Sequence, residues 1–178
     1  EAVYEEKNMS LTRDNSKVQE AIFSSLFPKH PYGTQTVLGT QENLKNPSIT
    51  NIKNYYKQWY VPNNMAICMS GDLDPDATIA LIDKYFGGLK PNPELPKLDL
   101  PKEAPITQPV VKEVLGPDAE SVALAWRFPG VSDKDFEILQ VVSQVLYNGK
   151  AGLIDLDLNQ QQKVLNSYGY PMGLADYS

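Results

Sequence analysis

The chain has 178 residues, 42% of them hydrophobic, and a net charge of −6. That length allows one domain or two small ones, and the apolar content is that of an ordinary packed protein. The acidic balance argues against nucleic acid or an anionic membrane surface as the main partner, since both require a basic face. No apolar run approaches the roughly 20 residues needed to span a bilayer. One histidine (His30) and one cysteine (Cys68) limit the chemistry further. Paired-histidine, cysteine–histidine and four-cysteine zinc sites are excluded by count, and so is an internal disulfide. The chain opens on Glu1 in helix-like sequence and stops at Asp176-Tyr177-Ser178 in strand-like sequence, so it reads as an excised piece of a longer protein.

Glu1 to Ser10 is acidic and helix-like. Lys17 to Phe27 is a clearer helix, because Val18, Ala21, Ile22 and Leu26 recur at helical spacing and Ser16 with Gln19 forms a capping box. Pro28 and Pro31 stop it, and a polar, glycine-containing loop follows. Ser48 caps a helix whose face carries Ile49, Ile52, Tyr56 and Trp59. Pro62-Asn63-Asn64 turns the chain into Met65-Ala66-Ile67-Cys68-Met69, a short unbroken apolar run of the kind expected for a strand buried on both faces. Asp74 caps a helix with Pro75 at its first position and Ile79, Ile82 and Phe86 inside. Gly87-Gly88 closes that helix in a left-handed turn.

Six of the fourteen prolines lie between Pro91 and Pro109. Proline lacks an N–H and fixes φ, so this stretch reads as a semi-rigid linker. It divides the chain into residues 1–90, a linker 91–109, and residues 110–178. Beyond it, Val110 to Leu115 is a strand and Gly116-Pro117-Asp118 a turn. Val122, Leu124, Trp126 and Phe128 alternate with Ala123, Ala125 and Arg127 as a second strand. Ser132 caps a helix with Phe136, Leu139, Val142 and Leu146, which Asn148-Gly149 ends. A shorter helix covers about Leu153 to Gln161, and Tyr168, Tyr170 and Met172 alternate again. The expected class is α+β rather than a βαβ repeat.

Few residues carry chemistry. Glu5 and Glu6 sit on the first helix, where a glutamate can ligate zinc or act as a base. Acidic residues also favour helix starts, and from residue chemistry alone the solvated-face reading stands ahead. His30, flanked by Pro28 and Pro31, reads as a packing or hydrogen-bonding residue. Asp155, Asp157 and Asn159 have the spacing of a calcium loop. Gln160 stands where its glycine belongs and Asn166 where its closing glutamate belongs, so calcium is set aside. Cys68, among apolar neighbours, reads as core.

Several segments in order resemble the pitrilysin/insulinase family of zinc metallopeptidases, which includes mitochondrial processing peptidases. They are Val3-Tyr4-Glu5-Glu6; His30-Pro31-Tyr32-Gly33 with Leu38-Gly39 and Glu42-Asn43-Leu44; Tyr55 to Met65 with Ser70-Gly71-Asp72; and Phe128-Pro129-Gly130 with Asp133 to Leu146 and Asn148-Gly149. The resemblance implies an α/β sandwich of helices on a mainly antiparallel sheet. It makes residues 1–90 the closing half of one family domain and 110–178 the opening part of the next. In the family an HxxEH helix supplies two zinc-binding histidines and a glutamate that activates the zinc-bound water, while a later helix supplies a third ligand. Glu6 matches that ligand, with Glu5 the alternative. HxxEH is absent here. The implied function is a segment of a zinc endopeptidase whose HxxEH helix lies upstream, with no complete zinc site of its own. The alternative is a non-catalytic family domain or subunit that shapes the substrate chamber or mediates assembly. The implied partners are a peptide substrate and the remaining parts of the protein or a homologous subunit.

Overall fold

The structure, a computed structural model, describes residues 1–178. The chain forms two compact units, Glu1–Asp118 and Ala119–Ser178.

The first unit begins with a helical hairpin of α1 (Ala2–Leu11) and α2 (Asp14–Leu26). Only Thr12 and Arg13 separate them, so the turn itself sets the start of α2. Arg13 is the N-cap without a side-chain bond, and Ser16 lies inside the first turn rather than in a capping box. Lys7 is buried between the two helices and pairs with Glu20 at 2.6 Å. Beyond α2 the chain folds back in a one-turn helix α3 (Pro31–Thr34). His30 caps it, its Nδ1 accepting the Tyr32 N–H at 3.2 Å. The rings of Phe23, Phe27, His30 and Tyr32 gather here, with Phe27 edge-on to Tyr32 at 5.5 Å. Gly33 lets α3 approach α2. A Cβ at this position would collide with the carbonyl oxygens of Phe27 and Phe23.

Short helix α4 (Gln41–Lys45), capped by Thr40, lies against α1. Helix α5 (Ile49–Trp59) is capped by Ser48 Oγ, and α6 (Pro75–Phe86) by Asp74 with Pro75 in the first turn, as the sequence leads one to expect. Gly87 follows α6 in right-handed conformation, φ −61°, so a left-handed cap is not what ends this helix.

In the second unit the Phe128 and Ser178 backbones exchange hydrogen bonds of 2.8 and 2.9 Å around an isolated antiparallel bridge, Pro129 with Tyr177. Helix α7 (Lys134–Leu146) is capped by Asp133, one residue later than the expected Ser132. A short π-helical turn, Asp155–Asn159, stands where the shorter helix was expected.

The expected sandwich of helices on an antiparallel sheet is not formed. The only strand pairing is that single bridge. Residues 65–70, 110–115 and 122–127 are not strands, because no neighbouring segment of this chain lies in register to complete a ladder. Their apolar side chains are uncovered: Val122 is 88% exposed and Leu124 74%. The run expected as a buried strand is open as well, and Cys68 is exposed rather than core. The helices show the same pattern. Ile52 and Tyr56 on α5, Ile79 on α6 and Val141 on α7 are all exposed, and only Phe27 and Val61 are buried hydrophobics. The chain exposes 14664 Å². A self-contained globule of its 19.8 kDa would expose about 8,600 Å².

Asp155 organises the loop after α7. It is buried, and Oδ2 accepts the N–H groups of Asn148, Lys150 and Gly152 at 3.1, 3.2 and 3.1 Å. Burial pushes its carboxyl upward. Hydrogen bonds from the Asn148 and Gly152 backbones, the Asn159 side chain and the Gly149 backbone outweigh that and hold it below the usual carboxylate range. A carboxylate with a lowered folded pKa stabilises the loop fully above its unfolded value of about 3.9 and loses that effect as pH falls through the folded value. Amide protection factors at Asn148 and Gly152 are therefore expected to persist from neutral pH to about pH 4 and to fall below it. In Asp155→Ala they should be low at every pH. Equal protection in the variant would remove Asp155 as the organiser.

Candidate functional site

Glu5 closes the first turn of α1 and Glu6 follows it, and both are exposed. Successive helical residues point about 100° apart, so one rotation of the helix cannot aim both at one target. Buried Lys7, with Tyr4, Asn8 and Leu11 on the same side, turns towards α2 and α4 and fixes that rotation. Glu6 stands outward with Ala2, Val3 and Met9 as its helical neighbours, four and three residues away. Val3 is 47% and Met9 67% exposed, so this carboxylate projects from an uncovered apolar surface. Glu5 lies one position around, and its Oε2 accepts the Asn8 side-chain amide at 3.4 Å. Neither glutamate enters an ion pair; those that form are Lys7 with Glu20 and Lys17 with Asp14.

A metal needs more than one such group. No three His, Cys, Asp or Glu side chains come together in this chain as a metal site would require. The donor chemistry of Glu6 suits a single zinc ligand, a carboxylate oxygen without an internal competitor on a rigid helix.

His30 is not brought to the glutamates. It is 1% exposed, caps α3 and packs in the aromatic cluster, the structural role expected of it. Asp155 and Asp157 do not form a calcium loop, since Asp155 is consumed by backbone N–H groups. In the second unit, an open depression of about 330 Å³ is lined by Pro129, Gly130, Ser132, Asp133, Ala175 and Asp176, none of them a residue the sequence singles out as a ligand. Two carboxylates that matter structurally escaped the sequence reading. Glu103, among the prolines, accepts the N–H groups of Lys29 and His30, and Asp14 accepts that of Asp118. No local pattern announces bonds between residues so far apart in sequence.

The chain is similar to known proteins over much of its length. The family model described as the peptidase M16 inactive domain matches residues 48–176. The chain is 27% identical over 161 residues to the zinc protease PqqE of Helicobacter pylori, covering 88% of this chain and 36% of that protein. It is 29% identical over 85 residues to the probable mitochondrial-processing peptidase subunit beta of Schizosaccharomyces pombe, covering 48% of this chain and 18% of that one. An uncharacterized zinc protease of Mycobacterium leprae, ML0855, is 28% identical over 87 residues, covering 49% of this chain and 19% of its own length. The chain thus spans about a third or less of each of these relatives. With a family model covering most of its length and the ordered segments from Tyr55 onward inside that match, the chain belongs to the M16, or pitrilysin/insulinase, family of peptidases.

Proposed function

We propose that this chain is a segment of a zinc-dependent endopeptidase and that Glu6 is its contribution to the metal site, with Glu5 the alternative. The observation that carries the reading is the exposed Glu6 carboxylate, free of ion pairs, among the uncovered Ala2, Val3 and Met9. An apolar rim around a carboxylate is what a surface shows when another part of a protein closes over it. The HxxEH helix would lie upstream of Glu1 and provide the other ligands and the base. Bound zinc lowers the pKa of its water and polarises a peptide carbonyl. This chain's part is to hold one carboxylate on a rigid helix and to wall the peptide-binding chamber. Residues 1–90 are then the closing half of one family domain and 110–178 the opening part of the next, joined by 91–109. The uncovered faces of α5, α6 and α7 fit the same reading, as surfaces for the rest of the parent protein or a homologous subunit.

A second reading is favoured by the description of the matching family model, an inactive domain. It makes the chain a non-catalytic part that shapes the chamber or mediates assembly. Measuring zinc content and peptide cleavage in the parent protein and in the isolated chain separates the two. The isolated chain is expected to bind no stoichiometric zinc and to cleave nothing, while the parent does both. A parent with neither activity nor metal selects the second reading. Zinc-dependent cleavage by the isolated chain would sink both.

A further inference from the structure

Proline-rich stretches between folded units ordinarily behave as spacers that touch neither side. Residues 91–118 do not. They are tied back to residues 14–63 of their own unit at three separate places. At the start, Asn63 and Asn92 clasp each other: Asn63 Nδ2 donates to the Asn92 carbonyl at 2.7 Å, and the Asn92 N–H donates to Asn63 Oδ1 at 2.9 Å. Asn92 Nδ2 also donates to the Gln58 carbonyl at the end of α5. In the middle, one oxygen of Glu103 accepts the N–H groups of both Lys29 and His30, each at 2.7 Å. These amides lie between Pro28 and Pro31, in a turn where no helix supplies their acceptor. At the end, Asp14 Oδ2 accepts the Asp118 N–H at 2.9 Å, while Lys17 Nζ donates to the Leu115 carbonyl at 3.3 Å. The Asp14 and Glu103 contacts set an ionised carboxylate against backbone N–H groups, the stronger kind of hydrogen bond.

We propose that residues 91–118 form a belt fastened to residues 14–63, so that the first unit ends after Asp118 rather than at the proline-rich stretch. The prolines suit a belt: they hold the backbone extended between fastenings and lower the entropy lost when it is pinned. A belt of this kind is a conformational device, because releasing one side chain frees a length of chain without disturbing a helix.

Trypsin reads the fastenings, since Lys97 and Lys112 lie in the belt and Lys57 in α5 serves as the internal reference. In the chain as it stands, cleavage after Lys97 should be slow. Glu103→Ala should raise it on the order of tenfold, because cleavage follows the population of the locally open form. Cleavage after Lys57 should not change, and exchange of the Lys29 and His30 amides should quicken in parallel. Gly116→Ala tests the last fastening independently, because a Cβ there would collide with the Asp14 carboxylate and push it off Asp118. This variant should speed cleavage after Lys112 and leave Lys97 slow. If Glu103→Ala loses its helical circular dichroism, Gly116→Ala alone decides. Unchanged cleavage in a folded variant overturns the belt.

Discussion

Replacing Glu6 by alanine in the parent protein is expected to strip the zinc and lower peptidase activity by at least about a hundredfold, beyond the cost of losing an outer-shell partner of a metal ligand. Glu5→Ala should stay within about twofold of the unsubstituted protein, because an exposed side chain that only accepts from Asn8 gives up little. The contrast rests on the rotation of α1. Lys7 is locked against Glu20 at 2.6 Å, so the helix cannot roll to exchange one glutamate for the other. Metal analysis of the purified variants is the deciding measurement. A Glu6→Ala protein that keeps its zinc, beside a Glu5→Ala protein that loses it, transfers the role to Glu5. If both keep it, α1 is a solvated face and the metal reading falls.

The second large effect concerns the core of the first unit. Phe27 is 3% exposed and touches the rings of Phe23, His30 and Tyr32. Removing a buried phenylalanine ring typically costs about 3–5 kcal/mol. Whole domains are stable by only about 5–15 kcal/mol. This unit has few other buried apolar groups to draw on, so Phe27→Ala should leave it largely unfolded at 25 °C. Thermal melts followed by helical circular dichroism test this directly. The backbone contact of Gly33 with α2 runs through the Phe23 and Phe27 carbonyls, so its loss should accompany the loss of the ring. A variant whose midpoint shifts by less than a degree or two would show that the aromatic cluster is not the core.

The helices were legible because their signals are local. Ser48 and Asp74 cap α5 and α6 through side-chain oxygens three residues from the amides they accept, and Pro75 sits where its missing N–H costs nothing. His30 was legible for the same reason, its ring bonding an amide two residues on. Strand pairing is not local. The alternation of Val122, Leu124, Trp126 and Phe128 says which faces are apolar, not whether this chain contains the neighbour that would cover them. Cys68 is exposed for that reason, since an apolar run does not by itself bring a segment to cover it. Glu103 and Asp14 were invisible because their partners are 73 or 74 and 104 residues away. The family was readable from ordered short motifs. The choice between Glu6 and Glu5 is not local either, since both have Ala2 and Met9 as apolar helical neighbours and only Val3 lies beside Glu6 alone.

The surface excess of the chain has a thermodynamic consequence. About 6,000 Å² is exposed beyond what a globule of this mass would show. Covering it in a larger assembly would lower the heat capacity on the order of 1 kcal/mol/K from this chain's side alone. The enthalpy of such an assembly would then swing from unfavourable in the cold to favourable when warm. Its affinity would pass through a maximum at an intermediate temperature, a signature that titration calorimetry at several temperatures reads directly.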